Sequence, residues 1–139
     1  MVAREAGAKV AAIGKIRRMA GAALKGLGLK NRELSVLLAG NPRIRELNRA
    51  YRGMDKPTDV LSFPMDDEYM LGDIVISVDK AVEQAERFGV TLEEEFARLM
   101  VHGLLHLIGY DHVKGGRQAG KMKAKEAELL RLLREEGLV

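Results

Sequence analysis

The chain contains no cysteine. That excludes disulfides, cysteine nucleophiles and thiolate metal sites, and it fits a reducing compartment. It also lacks any apolar run approaching the roughly 18 residues of a membrane span. Met1 to Lys30 carries small residues and scattered basic ones, without the continuous apolar stretch of a signal peptide. These absences point to a cytoplasmic protein with no membrane partner. There is no internal repeat and no low-complexity segment, so residues 1–139 are expected to form a single domain with a real core. Histidine is scarce as well. There are three, and all lie between positions 102 and 112.

What is present begins with an uneven charge. The net charge is only +3. Residues 1–66 nevertheless hold 13 basic and 6 acidic side chains, residues 67–112 hold 3 and 10, and residues 113–139 hold 7 and 4. Basic segments flanking an acidic middle can form a cationic rim that attracts a polyanion such as RNA. They can equally be solvated helix faces.

The three histidines carry the chemistry. His102 and His106 are spaced i,i+4, which on a helix stacks two imidazoles on one face. Gly109 is the natural helix stop, since glycine accepts the left-handed conformation of a C-terminal cap. Beyond it the chain can turn back and bring His112 to the same ion. Three neutral imidazoles suit zinc first, and other divalent transition metals after it. A catalytic zinc site keeps three protein ligands and one position for water, whereas a structural site usually has four. With no fourth histidine and no cysteine, an open site is expected. Asp111 is either a fourth ligand, a residue that orients a ligand or the water, or a turn residue at the helix end. Isolated histidines usually sit on helices with ordinary hydrogen bonds. Three in this pattern, with none elsewhere, favour metal.

Periodicity places the remaining elements. Residues 2–8 are a short strand or a frayed end. Lys9–Leu27 reads as an amphipathic helix, with Val10, Ile13, Ile16, Ala20 and Leu24 at helical spacing. Glu33–Ala39 reads as a strand. Asn41 is expected to cap a helix with Pro42 in its first position, burying Ile44, Leu47 and Tyr51 and ending at Tyr51. Arg52 then lies on a loop through Asp59. Strands follow at Val60–Phe63 and Ile74–Ile76. A helix capped by Ser77 or Asp79 runs to Phe88 and ends at Gly89. The capping box Thr91-x-x-Glu94 starts the histidine helix, anchored by Leu92, Phe96, Leu99, Met100, Leu104 and Leu107. Glu95 is expected to face solvent or to stand behind the ligands. Lys114–Arg117 reads as a flexible turn. A last helix, about 118–136, offers Met122, Ala127, Leu129, Leu130 and Leu133 to the core. The expected fold is α+β: one small mixed β-sheet packed with several helices, the metal site at the C-terminal end of a central buried helix.

The spacing His-x3-His-x5-His, with Gly109 between, resembles the zinc signature of metzincin proteases. Where those enzymes place a glutamate base, this chain has Gly103. Peptide hydrolysis by zinc needs that base, so a metallopeptidase is disfavoured.

A more specific resemblance runs through three stretches in order. They are Leu47–Pro64 (Leu-Asn-Arg-Ala-Tyr-Arg-Gly-Met-Asp-Lys-Pro-Thr-Asp-Val-Leu-Ser-Phe-Pro), Leu71–Ser77 (Leu-Gly-Asp-Ile-Val-Ile-Ser) and His102–His112. Together they resemble the YbeY family of rRNA-maturation endoribonucleases, over roughly residues 34 to 130. The resemblance implies a metal-dependent endoribonuclease specific for single-stranded RNA, acting in 16S rRNA 3′-end maturation and ribosome quality control. It implies 16S rRNA in the small ribosomal subunit and ribosome-associated proteins as partners, and no DNA. The family's metal ligands carry over to His102, His106 and His112, and its functionally important arginine to Arg52. Two departures stand out. A clear leading strand is missing, and the usually acidic segment after His112 is basic here, with Lys114, Arg117, Lys121, Lys123 and Lys125.

The residues themselves support that chemistry. Attack on a phosphodiester concentrates charge on phosphoryl oxygens, two of which one guanidinium can grip. The alternative for Arg52 is an ion pair with Asp55 or Asp59. The alternative for the whole chain is a ribosome-assembly factor in which zinc only staples the fold.

Overall fold

The computed structural model describes residues 2–4, 13–110 and 116–139. Its elements, in order, are β1 (Val2–Arg4), α1 (Ile13–Gly26), β2 (Glu33–Ala39), α2 (Asn41–Arg52), β3 (Val60–Pro64), β4 (Met70–Ser77), α3 (Val78–Phe88), α4 (Leu92–Leu107) and α5 (Gly116–Glu135). The four strands make one mixed sheet in the order β1-β2-β4-β3. β1 and β4 both run parallel to β2, and β3 pairs antiparallel with β4. The question of the leading strand is thereby answered, because Val2–Arg4 pairs with Val36–Leu38.

β2 and β4 are the central strands; one face of each is buried in the larger core, while the other is only half-buried at Ser35, Leu37 and Asp73. Leu34, Val36 and Leu38 of β2, with Ile74 and Ile76 of β4, join the larger core. They pack there with Ile16, Met19 and Ala23 of α1, Phe96, Met100 and Leu104 of α4, and Met122, Leu129 and Leu133 of α5. The alternate residues Ala39, Val75 and Leu61 form a smaller cluster with Ile44 of α2, bordered by Leu37, Leu47 and Phe63. α2 and α4 therefore lie on opposite faces of the sheet.

α4 is the central buried helix. Phe96, Ala97, Leu99, Met100, Val101, Leu104 and Leu105 are all at most 1% exposed. Thr91 caps it by accepting the Glu94 backbone N–H at 3.1 Å. At Gly103 the helix backbone meets the sheet. A Cβ there would lie 3.0 Å from Ile74 Cγ2 and 3.1 Å from Ser62 Oγ, and Ser62 Oγ donates to the Gly103 carbonyl at 3.0 Å. After Leu107 the chain leaves the helix through Gly109 at φ +103°, a conformation L side chains rarely adopt.

Several sequence expectations are corrected. Asn41 does not cap α2. Gly40 occupies the cap position without a side-chain bond, and the Asn41 backbone N–H donates instead to Asp79 Oδ2 at 2.7 Å. The Asn41 side-chain oxygen accepts from Ser77 Oγ at 2.6 Å. A tertiary acceptor has replaced the local one. Ser77 is the α3 cap, accepting the Lys80 N–H at 3.1 Å. Tyr51 is 70% exposed, not buried, and rests only its edge on Phe63, ring centroids 5.2 Å apart. Ala127 is exposed, and Gly116 and Arg117 belong to α5 rather than to a turn. Arg52 is the last residue of α2, ahead of a left-handed Gly53, rather than a loop residue. Among the expected α1 residues, 9–12 lie outside the described residues. No helix among the described residues is long and apolar enough to cross a membrane.

Candidate metal centre

The last two turns of α4 carry His102 and His106. Their Nε2 atoms are 3.2 Å apart, and the rings meet edge to face with centroids 4.7 Å apart. The i,i+4 spacing explains the alignment. The His102 Nδ1 faces away from its neighbour, 2.6 Å from Glu126 Oε1 of α5. With the carboxylate accepting a hydrogen bond from Nδ1–H, the His102 Nε2 lone pair is left directed at His106. Both partners are about a quarter exposed, so the pair sits at the edge of the core and not inside it.

These donors fit a zinc ion. Two imidazole nitrogens on one tetrahedral zinc, at roughly 2.0–2.1 Å each, stand about 3.3–3.4 Å apart. The separation found is 3.2 Å. His112 and Asp111 lie outside the described residues, and no cluster of three or more ligating side chains occurs among the described ones.

One turn before His102, Arg98 grips Glu95 with two hydrogen bonds, 2.9 Å from Nε and 2.5 Å from Nη2. It also donates to Gln84 Oε1 at 3.1 Å. Glu95 is 1% exposed, so the expectation that it faces solvent fails. It lies on the same helix face as Arg98 and His102, covered there although it is charged. The hydrogen bonding of Arg98 to the Glu95 carboxylate is the main cause that lifts the Arg98 pKa above its ordinary value. Burial opposes it, and the charges of Glu95, Asp59 and Glu126 add to it.

Arg52 has neither of the partners anticipated for an ion pair. Asp55 is taken by Arg45, Nε to Oδ1 at 2.9 Å and Nη2 to Oδ2 at 3.2 Å. Their hydrogen bond holds the Asp55 carboxyl below the usual range. Asp59 lies within 3.4 Å of Gln84 Nε2 instead. The segment between is tied down by buried Asn48, whose Nδ2 donates to the Lys56 carbonyl at 2.8 Å. Arg52 is exposed, and among the described residues no hydrogen bond or ion pair joins it to either histidine. α2 and α4 flank opposite sheet faces, so a ligand touching both Arg52 and the histidines must pass the edge strand β3.

Glu126 was not anticipated from the sequence, yet a signal existed. It falls four residues after Met122 and three before Leu129, both buried. A carboxylate on the apolar stripe of a helix needs a partner.

The family model described as "Endoribonuclease YbeY" matches residues 5–134. An Endoribonuclease YbeY of Aquifex aeolicus (strain VF5) is 53% identical over 120 residues, covering 84% of this chain and 80% of that protein. One from Geobacter metallireducens (strain ATCC 53774 / DSM 7210 / GS-15) is 42% identical over 133 residues, covering 90% and 89%. Among solved structures, the solution structure of TM1509 from Thermotoga maritima superposes with a TM-score of 0.70 at 27% identity, covering 98% of this chain and 91% of that one.

Proposed function

The chain belongs to the Endoribonuclease YbeY family, and from that membership we propose that it is a zinc-dependent endoribonuclease acting on single-stranded RNA in the cytoplasm. Its substrate in this reading is 16S rRNA of the small ribosomal subunit, in 3′-end maturation and quality control. Ribosome-associated proteins would be further partners. His102, His106 and His112 hold the metal, for which another divalent transition metal is a substitute. Asp111 orients a ligand or the reacting water.

The observation that carries the metal assignment is the pair of Nε2 atoms 3.2 Å apart, one of them backed by Glu126. Zinc held there would supply Lewis acidity to the phosphodiester and to water. The protein's own part is to hold the imidazoles aligned, and to bind the RNA backbone. Arg52, exposed and without an acidic partner among the described residues, contributes a guanidinium for phosphoryl oxygens. A strand of RNA draped past β3 meets both faces. Gly103 argues against peptide hydrolysis twice over. It supplies no base, and its backbone is pressed on Ile74 and Ser62, leaving no room for one.

The test is cleavage of labelled single-stranded RNA by purified protein, with and without chelator. We expect metal-dependent cutting that His106→Ala abolishes. Arg52→Glu should keep its zinc and melting temperature and lose at least about two orders of magnitude in single-turnover rate, the usual loss when a contact worth roughly 3 kcal/mol to a developing oxyanion goes. Arg52→Lys should recover part of it. Full metal occupancy in a His102→Ala/His106→Ala double variant refutes the ligand assignment. Metal-dependent folding without cleavage would favour the assembly factor.

A further inference from the structure

We propose that Glu126 is a positioning residue for the metal centre. It fixes His102 as the Nδ1–H tautomer and aims its Nε2 lone pair at the ion. The inference rests on the zinc reading above and adds a residue to it.

Three observations carry it. The Glu126 Oε1 to His102 Nδ1 distance is 2.6 Å, within hydrogen-bonding reach of a carboxylate acceptor. The bond joins two helices, α4 and α5, that pack along the larger core, where Met122 and Leu129 on either side of Glu126 are at most 2% exposed. The carboxylate is therefore held in place by its own helix and not by the histidine alone. Finally, the opposite ring nitrogen of His102 is the one that faces His106. A carboxylate behind a ligating histidine both selects the tautomer and raises the basicity of the ligating nitrogen.

Glu128 provides the control. It lies on the same helix, its side chain is 62% exposed, and it pairs with Lys125 at 3.2 Å. Removing its charge alters the net charge of α5 as much as removing that of Glu126, without touching His102.

The experiment compares wild type, Glu126→Gln, Glu126→Ala and Glu128→Gln. Zinc affinity is measured by chelator competition. The ring tautomer of His102 is read in metal-free protein from long-range proton–nitrogen NMR correlations. Expected for Glu126→Ala is a 10- to 100-fold loss of zinc affinity, with His102 shifting toward the Nε2–H form. Glu126→Gln keeps an accepting carbonyl of the same shape, so it should hold the tautomer and fall between wild type and Ala. Glu128→Gln should bind as wild type does. Unchanged affinity and tautomer in Glu126→Ala overturn the role of Glu126 while leaving the zinc site standing. Equal losses in Glu126→Gln and Glu128→Gln overturn it too, as a general charge effect. A wild-type protein that takes up no zinc removes the metal reading itself.

Discussion

Gly103 offers a sharp test of how α4 meets the sheet. Replacing a helix-interior glycine by alanine normally stabilises by about 0.5–1 kcal/mol, because the unfolded chain loses freedom and the helix gains propensity. At Gly21 of α1 a new Cβ meets nothing within 4 Å, so Gly21→Ala should show that full gain. At Gly103 the same methyl falls 3.0 Å and 3.3 Å from Ile74 and 3.1 Å from Ser62 Oγ. Ile74 is fully buried on β4, and Ser62 is tied to the Gly103 carbonyl, so neither yields freely. Overpacking of this kind costs about 1–3 kcal/mol. The propensity gain offsets part of it, leaving Gly103→Ala near neutral to about 2 kcal/mol destabilised. The difference between the two variants isolates the contact itself, at about 1–3 kcal/mol. Urea unfolding under one fixed metal condition measures it, because binding would otherwise shift both curves. If both substitutions stabilise equally, α4 does not press its backbone on the sheet, and the reason given for glycine at 103 is wrong.

Three more outcomes are expected. Arg98→Ala should destabilise by about 3 kcal/mol in urea unfolding, because it strands Glu95, which is 1% exposed, without its cation; pairing it with Glu95→Leu should restore most of the loss. Asp67 accepts backbone N–H bonds from Met70 and Tyr69, which hold its carboxyl below the usual range. A depressed folded pKa means stabilisation present above the unfolded value and lost as pH falls through the folded one, so acid unfolding from about pH 4 downward should be shallower in Asp67→Asn than in wild type. Zinc affinity should weaken toward acid pH because the imidazoles must be neutral to bind, while far-UV circular dichroism of chelated protein at neutral pH stays that of the folded state.

What the sequence made legible were the features with a local cause. The strand at 33–39 agrees to the residue because its alternation and its Gly40 stop are both local. The histidine helix begins at its Thr91 cap for the same reason. The errors share a different origin. Asn41 lost its cap role to Asp79, 38 positions away in sequence. Tyr51 has helical spacing to Ile44 and Leu47, but β3 is an edge strand and gives its ring little to lie under. Which of Arg45 and Arg52 takes Asp55 is decided only when α2 and the following turn are laid out in space. Glu126 waited on the packing of α5 against α4. Sequence spacing aligns side chains on one helix well, and finds their partners on another helix poorly.

α4 itself shows why the site sits where it does. Glu95, Arg98, His102 and His106 lie at i, i+3, i+7 and i+11, a single stripe along a helix otherwise packed into the core. Polar groups on such a helix are costly unless each is satisfied. Here each has a partner: Arg98 for Glu95, Gln84 and Glu95 for Arg98, Glu126 and His106 for His102. The apolar contacts on the remaining faces, with Gly103 closing the gap to β4, fix the axis of the helix and hence the two imidazoles. The fold thus aligns the two imidazoles through its own packing. A metal bound here, as proposed above, would be available for chemistry, because the helix that presents the two imidazoles stands on its own packing.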